Sequence, residues 1–133
     1  MKLDSMSFFS LASQRMQWLT ARQKVIAENV ANANTPGYKA KDVSAFDEML
    51  EAQSASAGLE VTSGRHIHGT DPSPGVSVQD DESAWSSSSI DGNTVVLENQ
   101  AMKANEVSEN YRLASSLYRK GYELLTLAVT GIR

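Results

Sequence analysis

The residues most suited to chemistry are His66 and His68, the only two histidines in the chain. On a strand their spacing of two places both imidazoles on one face, as a metal site requires. Zinc needs three or four ligands, however, and the chain has no cysteine and only Asp71 as a nearby acid. Surface or turn histidines are the simpler reading, so no metal and no cofactor is expected. A small metal-dependent hydrolase built on this pair is the catalytic rival. Nucleophilic catalysis has no better footing, because the many serines occur without a G-x-S-x-G elbow. Neither a P-loop nor a G-x-G-x-x-G run is present. Tyr111, Tyr118 and Tyr122 stand at helical spacing, which suits amphipathic interface residues better than catalytic ones. Arg22, Lys24, Lys39 and Lys41 form a modest basic cluster, read as a solvated face or as a contact for the acidic middle of a neighbouring copy. No enzyme is expected.

The 133 residues carry a net charge of −4 and suit one domain at most. Nucleic acid is not an expected partner, since no Lys/Arg cluster is large enough to neutralise phosphates. No lysine or arginine lies between Arg65 and Lys103, whereas Asp71, Asp80, Asp81, Glu82, Asp91 and Glu98 do. That stretch reads as a solvated acidic surface. Lys2 is followed by Asp4 and a mixed Ser/Phe stretch rather than by the apolar core of a secretory signal. No window approaches eighteen apolar residues, so an integral membrane protein is not expected. A chain of this kind that leaves the cytosol needs a route without a cleaved signal.

The positioning elements follow from periodicity. Phe9, Ala12, Met16, Leu19, Gln23, Ile26, Val30 and Ala33 recur at alternating steps of three and four, a heptad seam on one helix. Phe8, Leu11, Trp18 and Val25 widen its apolar face. The helix is expected to stop near Asn34, because Pro36 disfavours helical geometry at Thr35 and Pro36-Gly37 suits the centre of a type II turn. A second helix is expected from Thr94, with Leu97, Gln100, Ala104, Val107, Tyr111, Ala114, Tyr118, Gly121, Leu125, Ala128 and Ile132 on its seam. Leu113, Leu117, Leu124 and Leu127 form a second stripe, and so broad an arc calls for at least two neighbours. Gly121 on the seam would let another backbone approach closely. The middle is rich in Ser, Gly and Asp, with a short helix expected at 46–52 and short strands at 59–62 and 75–78. The fold class is mainly α: two long terminal helices, 1–35 and 94–133, packed as a coiled-coil-like pair, parallel or antiparallel. Residues 36–93 form an irregular or small β-containing segment. Such a pair alone leaves much apolar surface bare, so the isolated chain is expected to be partly unfolded and to order on assembly.

The run from Glu28 to Ala40 resembles the N-terminal signature of bacterial flagellar rod and hook proteins, approximately N-[IV]-A-N-x-x-T-x-G-Y/F. It matches at Asn29, Val30, Ala31, Asn32, Thr35, Gly37 and Tyr38. Asp91-Gly92-Asn93-Thr94-Val95, and more thinly Thr62 to Ile67, resemble proximal-rod members of that family. The likeness is dense at 28–42 and 91–98 and thin between 43 and 90. Val96 departs from it, since the family often has Asp or Asn there, and Asn93 or Thr94 is left to cap the second helix. The resemblance implies a structural subunit of the basal-body rod that self- and co-assembles into a helical drive shaft around the export channel. Its implied place is the periplasmic part of the basal body, reached through the flagellar type III export apparatus. Implied partners are copies of itself, other proximal rod proteins, and the adaptor that joins the rod to the membrane ring. The expected assembly residues are Phe9, Met16, Leu19, Ile26, Val30, Asn32, Asn34, Pro36, Gly37, Tyr38, Leu113, Leu117, Tyr118, Leu124 and Leu125. In this reading Asn32 and Asn34 serve the last helical carbonyls or a neighbour's backbone. A cytosolic coiled-coil adaptor or secretion chaperone is the structural rival, and it has no need of the turn signature.

Overall fold

A computed structural model describes residues 7–56 and 76–131. The strand expected at 59–62, the His66/His68/Asp71 group and the seam residue Ile132 lie outside the described residues. Two helices dominate, α1 (Ser7–Ala31) and α3 (Leu97–Thr130). At 34 residues, α3 is roughly 50 Å long. The pair is antiparallel: Asn29 meets Gln100, Arg22 meets Glu106, and Phe9 meets Tyr118.

Both inner helix ends differ from the sequence expectation. The first helix stops at Ala31, ahead of Asn34: beyond it the Ala33 and Thr35 N–H groups donate three residues back, to the Val30 and Asn32 carbonyls, in tight turns rather than four residues back. The last helix begins at Leu97, a turn later than Thr94. Val96 occupies its N-cap without a side-chain hydrogen bond. Neither Asn93 nor Thr94 caps α3, since both side chains are engaged elsewhere. Gly131, at φ 62°, ends α3 and its N–H donates to the Leu127 carbonyl at 2.9 Å.

Between the helices lie β1 (Lys41–Val43), α2 (Phe46–Ser56), β2 (Val78–Asp80) and a 3₁₀ helix at Glu82–Ser87. The two strands pair antiparallel, Lys41 opposite Asp80 and Val43 opposite Val78. The α2 helix starts where the sequence placed one, and β2 begins where the expected strand ends. Trp18, Leu19, Ile26, Met49 and Val107 form the core, with Val43, Phe46, Leu50, Val76 and Ala104 against it. Full burial of each large apolar side chain contributes about 1.5–3 kcal/mol. Trp18 donates its Nε1–H to the Ser44 carbonyl at 2.9 Å, and the Arg15 guanidinium lies 4.8 Å from the centres of both the Trp18 and Phe46 rings.

This layer corrects the seam. Trp18 and Val25, placed beside it by periodicity, are buried, whereas Val30 is 46% exposed. The α1 helix packs against both α3 and the β1–α2 segment, so its buried face is rotated toward the latter. Gly121 also differs from expectation, because what approaches it is a ring and not a backbone. A Cβ there would stand 2.7 Å from Phe8 Cε1.

Candidate functional site

Three features stand out: a polar clasp at the closed end of the hairpin, an ion cluster beside it, and apolar helix surface left bare. The clasp begins with Asn29, which is fully buried. Its Nδ2 donates to the Lys41 carbonyl at 2.7 Å and to Gln100 Oε1 at 3.1 Å. Its Oδ1 accepts from the Lys41 N–H at 3.0 Å and the Tyr38 hydroxyl at 3.3 Å. One amide thereby uses two donors and two acceptors to join α1, the start of β1 and α3. Asn32 donates to the Glu28 carbonyl at 2.8 Å and accepts from the Thr35 hydroxyl.

The turn that follows is of type II. The Tyr38 N–H donates to the Thr35 carbonyl, and Gly37 sits at φ 73°, a region that favours glycine. Against this turn packs the second motif. Asn93 Nδ2 faces the carbonyls of Asn32, Ala33 and Thr35 at 2.8–3.0 Å, so it caps the end of α1 from across the chain. Its Oδ1 accepts from the Val95 N–H. Thr94, fully buried, accepts from the Ala40 N–H at 2.8 Å, and the Gly37 N–H donates to the Asp91 carbonyl at 2.9 Å. The two sequence motifs are thus halves of one structure.

Beside the clasp, Arg22 holds Asp42 through two contacts at 3.0 and 3.1 Å. Lys103 bridges Asp42 at 2.8 Å and Asp81 at 2.6 Å. Burial pushes the Asp42 and Asp81 carboxyls up. Hydrogen bonds outweigh it, from Arg22, Lys103 and the Val43 N–H for Asp42, and from Lys103 and Ser83 for Asp81, so both lie below the usual carboxylate value. Burial pushes Lys103 down, and its two acidic partners more than offset this. Arg22 and Asp81 therefore depart from expectation. Arg22 is committed within its own chain, and Asp81 is the partner of Lys103 rather than part of a solvated surface.

Of the expected assembly residues, Phe9, Leu19 and Ile26 are buried, and Tyr118 stacks edge-on against Phe9 at 5.1 Å. These hold the hairpin itself. Met16 and Leu125 are half-buried, Asn34 and Pro36 are exposed, and Gly37 and Tyr38 belong to the clasp. Leu113, Leu117 and Leu124 are 58%, 51% and 56% exposed, and Leu127 beside them 42%. Residues missing from that set are Asn29, Gln100, Asn93 and Thr94, and the Asp42–Lys103 pair. The signal available for Asn29, Asn93 and Thr94 was membership of the two motifs. Nothing in the spacing joins one motif to the other.

Two long helices locked at one end and bare along an outer stripe define an assembling structural subunit rather than a catalyst. Residues 10–39 match the family model described as flagella basal body rod protein. The chain is 34% identical over 131 residues to the flagellar basal body rod protein FlgB of Agrobacterium fabrum, covering 96% of each. It is 30% identical to FlgB of Bacillus subtilis, covering 95% of this chain and 98% of that one, and 28% identical to FlgB of Escherichia coli over 86% of each. The chain belongs to the FlgB family of flagellar basal body rod proteins. It is a structural subunit of the basal-body rod, not an enzyme, and it assembles with other basal-body components. Among the described residues no helix is long and apolar enough to cross a membrane.

Proposed function

We propose that the chain polymerises with copies of itself and with other proximal rod proteins into a helical drive shaft that transmits torque and surrounds the export channel. The observation that carries this reading is the bare stripe of Leu113, Leu117, Leu124 and Leu127 on a helix roughly 50 Å long. Contiguous apolar surface of this kind is stable when another helix covers it. Laterally packed long helices also supply the stiffness that torque demands. Val30, Asn34, Pro36 and Leu125 join the contact surface in this reading. Phe9, Met16, Leu19, Ile26 and Tyr118 shape it from within, and Asn32, Gly37 and Tyr38 set the exit of the chain at the closed end. The rod-to-ring adaptor and the membrane ring are neighbours at the base. The chain reaches the periplasmic space through the flagellar type III apparatus.

The test is the double substitution Leu117→Asp, Leu124→Asp. Both sites are exposed, so the hairpin stays folded and export continues, while rod assembly and motility are lost. Motile cells carrying the pair refute the interface.

A further inference from the structure

The chain contains one Asp-Gly pair and no Asn-Gly pair, and that pair, Asp91-Gly92, lies in the clasp. Such a pair can react with itself. The Gly92 backbone nitrogen attacks Asp91 Cγ and an N–C bond forms. A C–O bond of the carboxyl breaks, and the amide proton leaves with the hydroxyl as water. The product is a five-membered succinimide, which a second water opens at either carbonyl. Opening at Cγ returns aspartate. Opening at the former main-chain carbonyl gives isoaspartate, whose backbone runs through Cβ and Cγ and is one carbon longer. Glycine hinders the attack least, since it has no Cβ. The turn nonetheless needs it, because Gly92 sits at φ 75°, where any side chain would be strained. Asp91 is exposed, so its carboxyl and the water it needs are both at hand.

The folded clasp opposes the reaction. Ring closure requires the peptide unit between Asp91 and Gly92 to rotate until its nitrogen reaches Cγ. Both polar atoms of that unit are held. The Asp91 carbonyl accepts from the Gly37 N–H at 2.9 Å, and the Gly92 N–H donates to the Ser89 carbonyl at 2.9 Å. On the next unit the Gly92 carbonyl accepts from Lys39 Nζ at 3.4 Å. Beyond it the Asn93 side chain is tied to the carbonyls of Asn32, Ala33 and Thr35. Rotation at Asp91 breaks the first two bonds together.

We infer that Asp91 is a site of spontaneous backbone isomerisation, reactive in the unfolded chain and locked in the folded one by the clasp. The reaction proceeds only from molecules whose clasp has opened, so its rate follows the population of that opening. The product also damages what protected it. An extra backbone carbon between residues 91 and 92 moves Asn93 out of register with the turn at Thr35–Gly37, and an isomerised chain closes its hairpin poorly.

The full-length protein and its Asn93→Ala variant are aged in warm neutral buffer, with and without guanidinium chloride. Asn93→Ala leaves the reactive pair intact and removes the side chain that ties the turn to α1. Circular dichroism checks that the variant keeps its helices; should it lose them, Asn93→Ser, which retains one donor, takes its place. No lysine or arginine lies between Arg65 and Lys103, so trypsin releases Asp91 in one peptide, 66–103, where electron-transfer fragmentation locates isoaspartate. The expected result for the unaltered protein is isoaspartate at residue 91, accumulating at least tenfold faster in denaturant than in buffer. The variant is expected to react several-fold faster than the unaltered protein in buffer and at the same rate in denaturant. No isoaspartate at residue 91 in denaturant overturns the site. Equal rates with and without denaturant overturn the lock. A folded variant that ages in buffer no faster than the unaltered protein overturns the clasp as its cause.

Discussion

At the scale of single residues, Asn29 is the position where one change does most harm. Replacement by Ala leaves the Lys41 N–H and carbonyl, Gln100 Oε1 and the Tyr38 hydroxyl without their partner. Each buried group so stranded costs about 1–3 kcal/mol, with some relief from water, so Asn29→Ala is expected to destabilise by about 2–4 kcal/mol. Asn29→Asp is expected to be worse, because it removes both donors and buries a charge. Urea midpoints of the three proteins measure this, and a loss below about 0.5 kcal/mol for Asn29→Ala would count against the clasp. The ion cluster makes a second prediction. Asp42 and Asp81 are held below the usual carboxylate value, so their contribution is present above about pH 4 and is lost as pH falls through the lowered values. Lys103 is raised, so its contribution is present below about pH 10.4 and is lost as pH rises through the raised value. The melting temperature is expected to fall at both extremes, and Asp42→Asn to flatten the acid limb. Lys103 is 22% exposed and its partners 20% and 11%, which moderates the size of the effect.

At the scale of elements, Gly121 and Phe8 should be judged together. Glycine inside a helix costs about 1 kcal/mol relative to alanine, so Gly121→Ala ought to stabilise α3. The new methyl meets the Phe8 ring, however, which must swing away and give up its edge contact with Phe9, now 5.2 Å between ring centres. Gly121→Ala alone is expected to be nearly neutral. In a Phe8→Ala background the same change is expected to stabilise by about 1 kcal/mol. Equal effects in both backgrounds, in a denaturant double-mutant cycle, would show that the ring does not oppose the change. These elements also show what was legible in advance. Alternation of three and four steps found both long helices, and Phe46 marked the start of α2. Periodicity placed Trp18 beside the seam and Val30 on it, because a seam assumes one partner helix. The β1–α2 layer, which decides the rotation of α1, has no periodic signature of its own. Asn93 was legible as a capping residue but not as a cap for a helix some sixty positions earlier, since a side chain's distant partner leaves no local trace.

At the scale of the whole molecule, stability is unevenly distributed. The buried core, the clasp and the ion cluster lie around residues 18–49 and 81–107, while distal α3 keeps Leu113, Leu117, Leu124 and Leu127 exposed. A dilute sample is expected to have fewer helical residues than a concentrated one, with the deficit in distal α3. Association then raises both helicity and thermal midpoint by mass action. Circular dichroism over a hundredfold range of concentration checks this, and one sharp transition at every concentration would contradict it.

The docking of Asp91 and Asn93 onto the turn at Thr35–Gly37 has a consequence for the length of the chain between them. Those contacts tie together two points more than fifty positions apart. Once the knot is tied, lengthening the tether it closes changes the entropy of closure only logarithmically, by about 0.6 kcal/mol per doubling. The hairpin is thereby insulated from insertions between α2 and β2. Descendants of one ancestral subunit are free to vary the length of chain between α2 and β2 while keeping the same pair of helices in the same register.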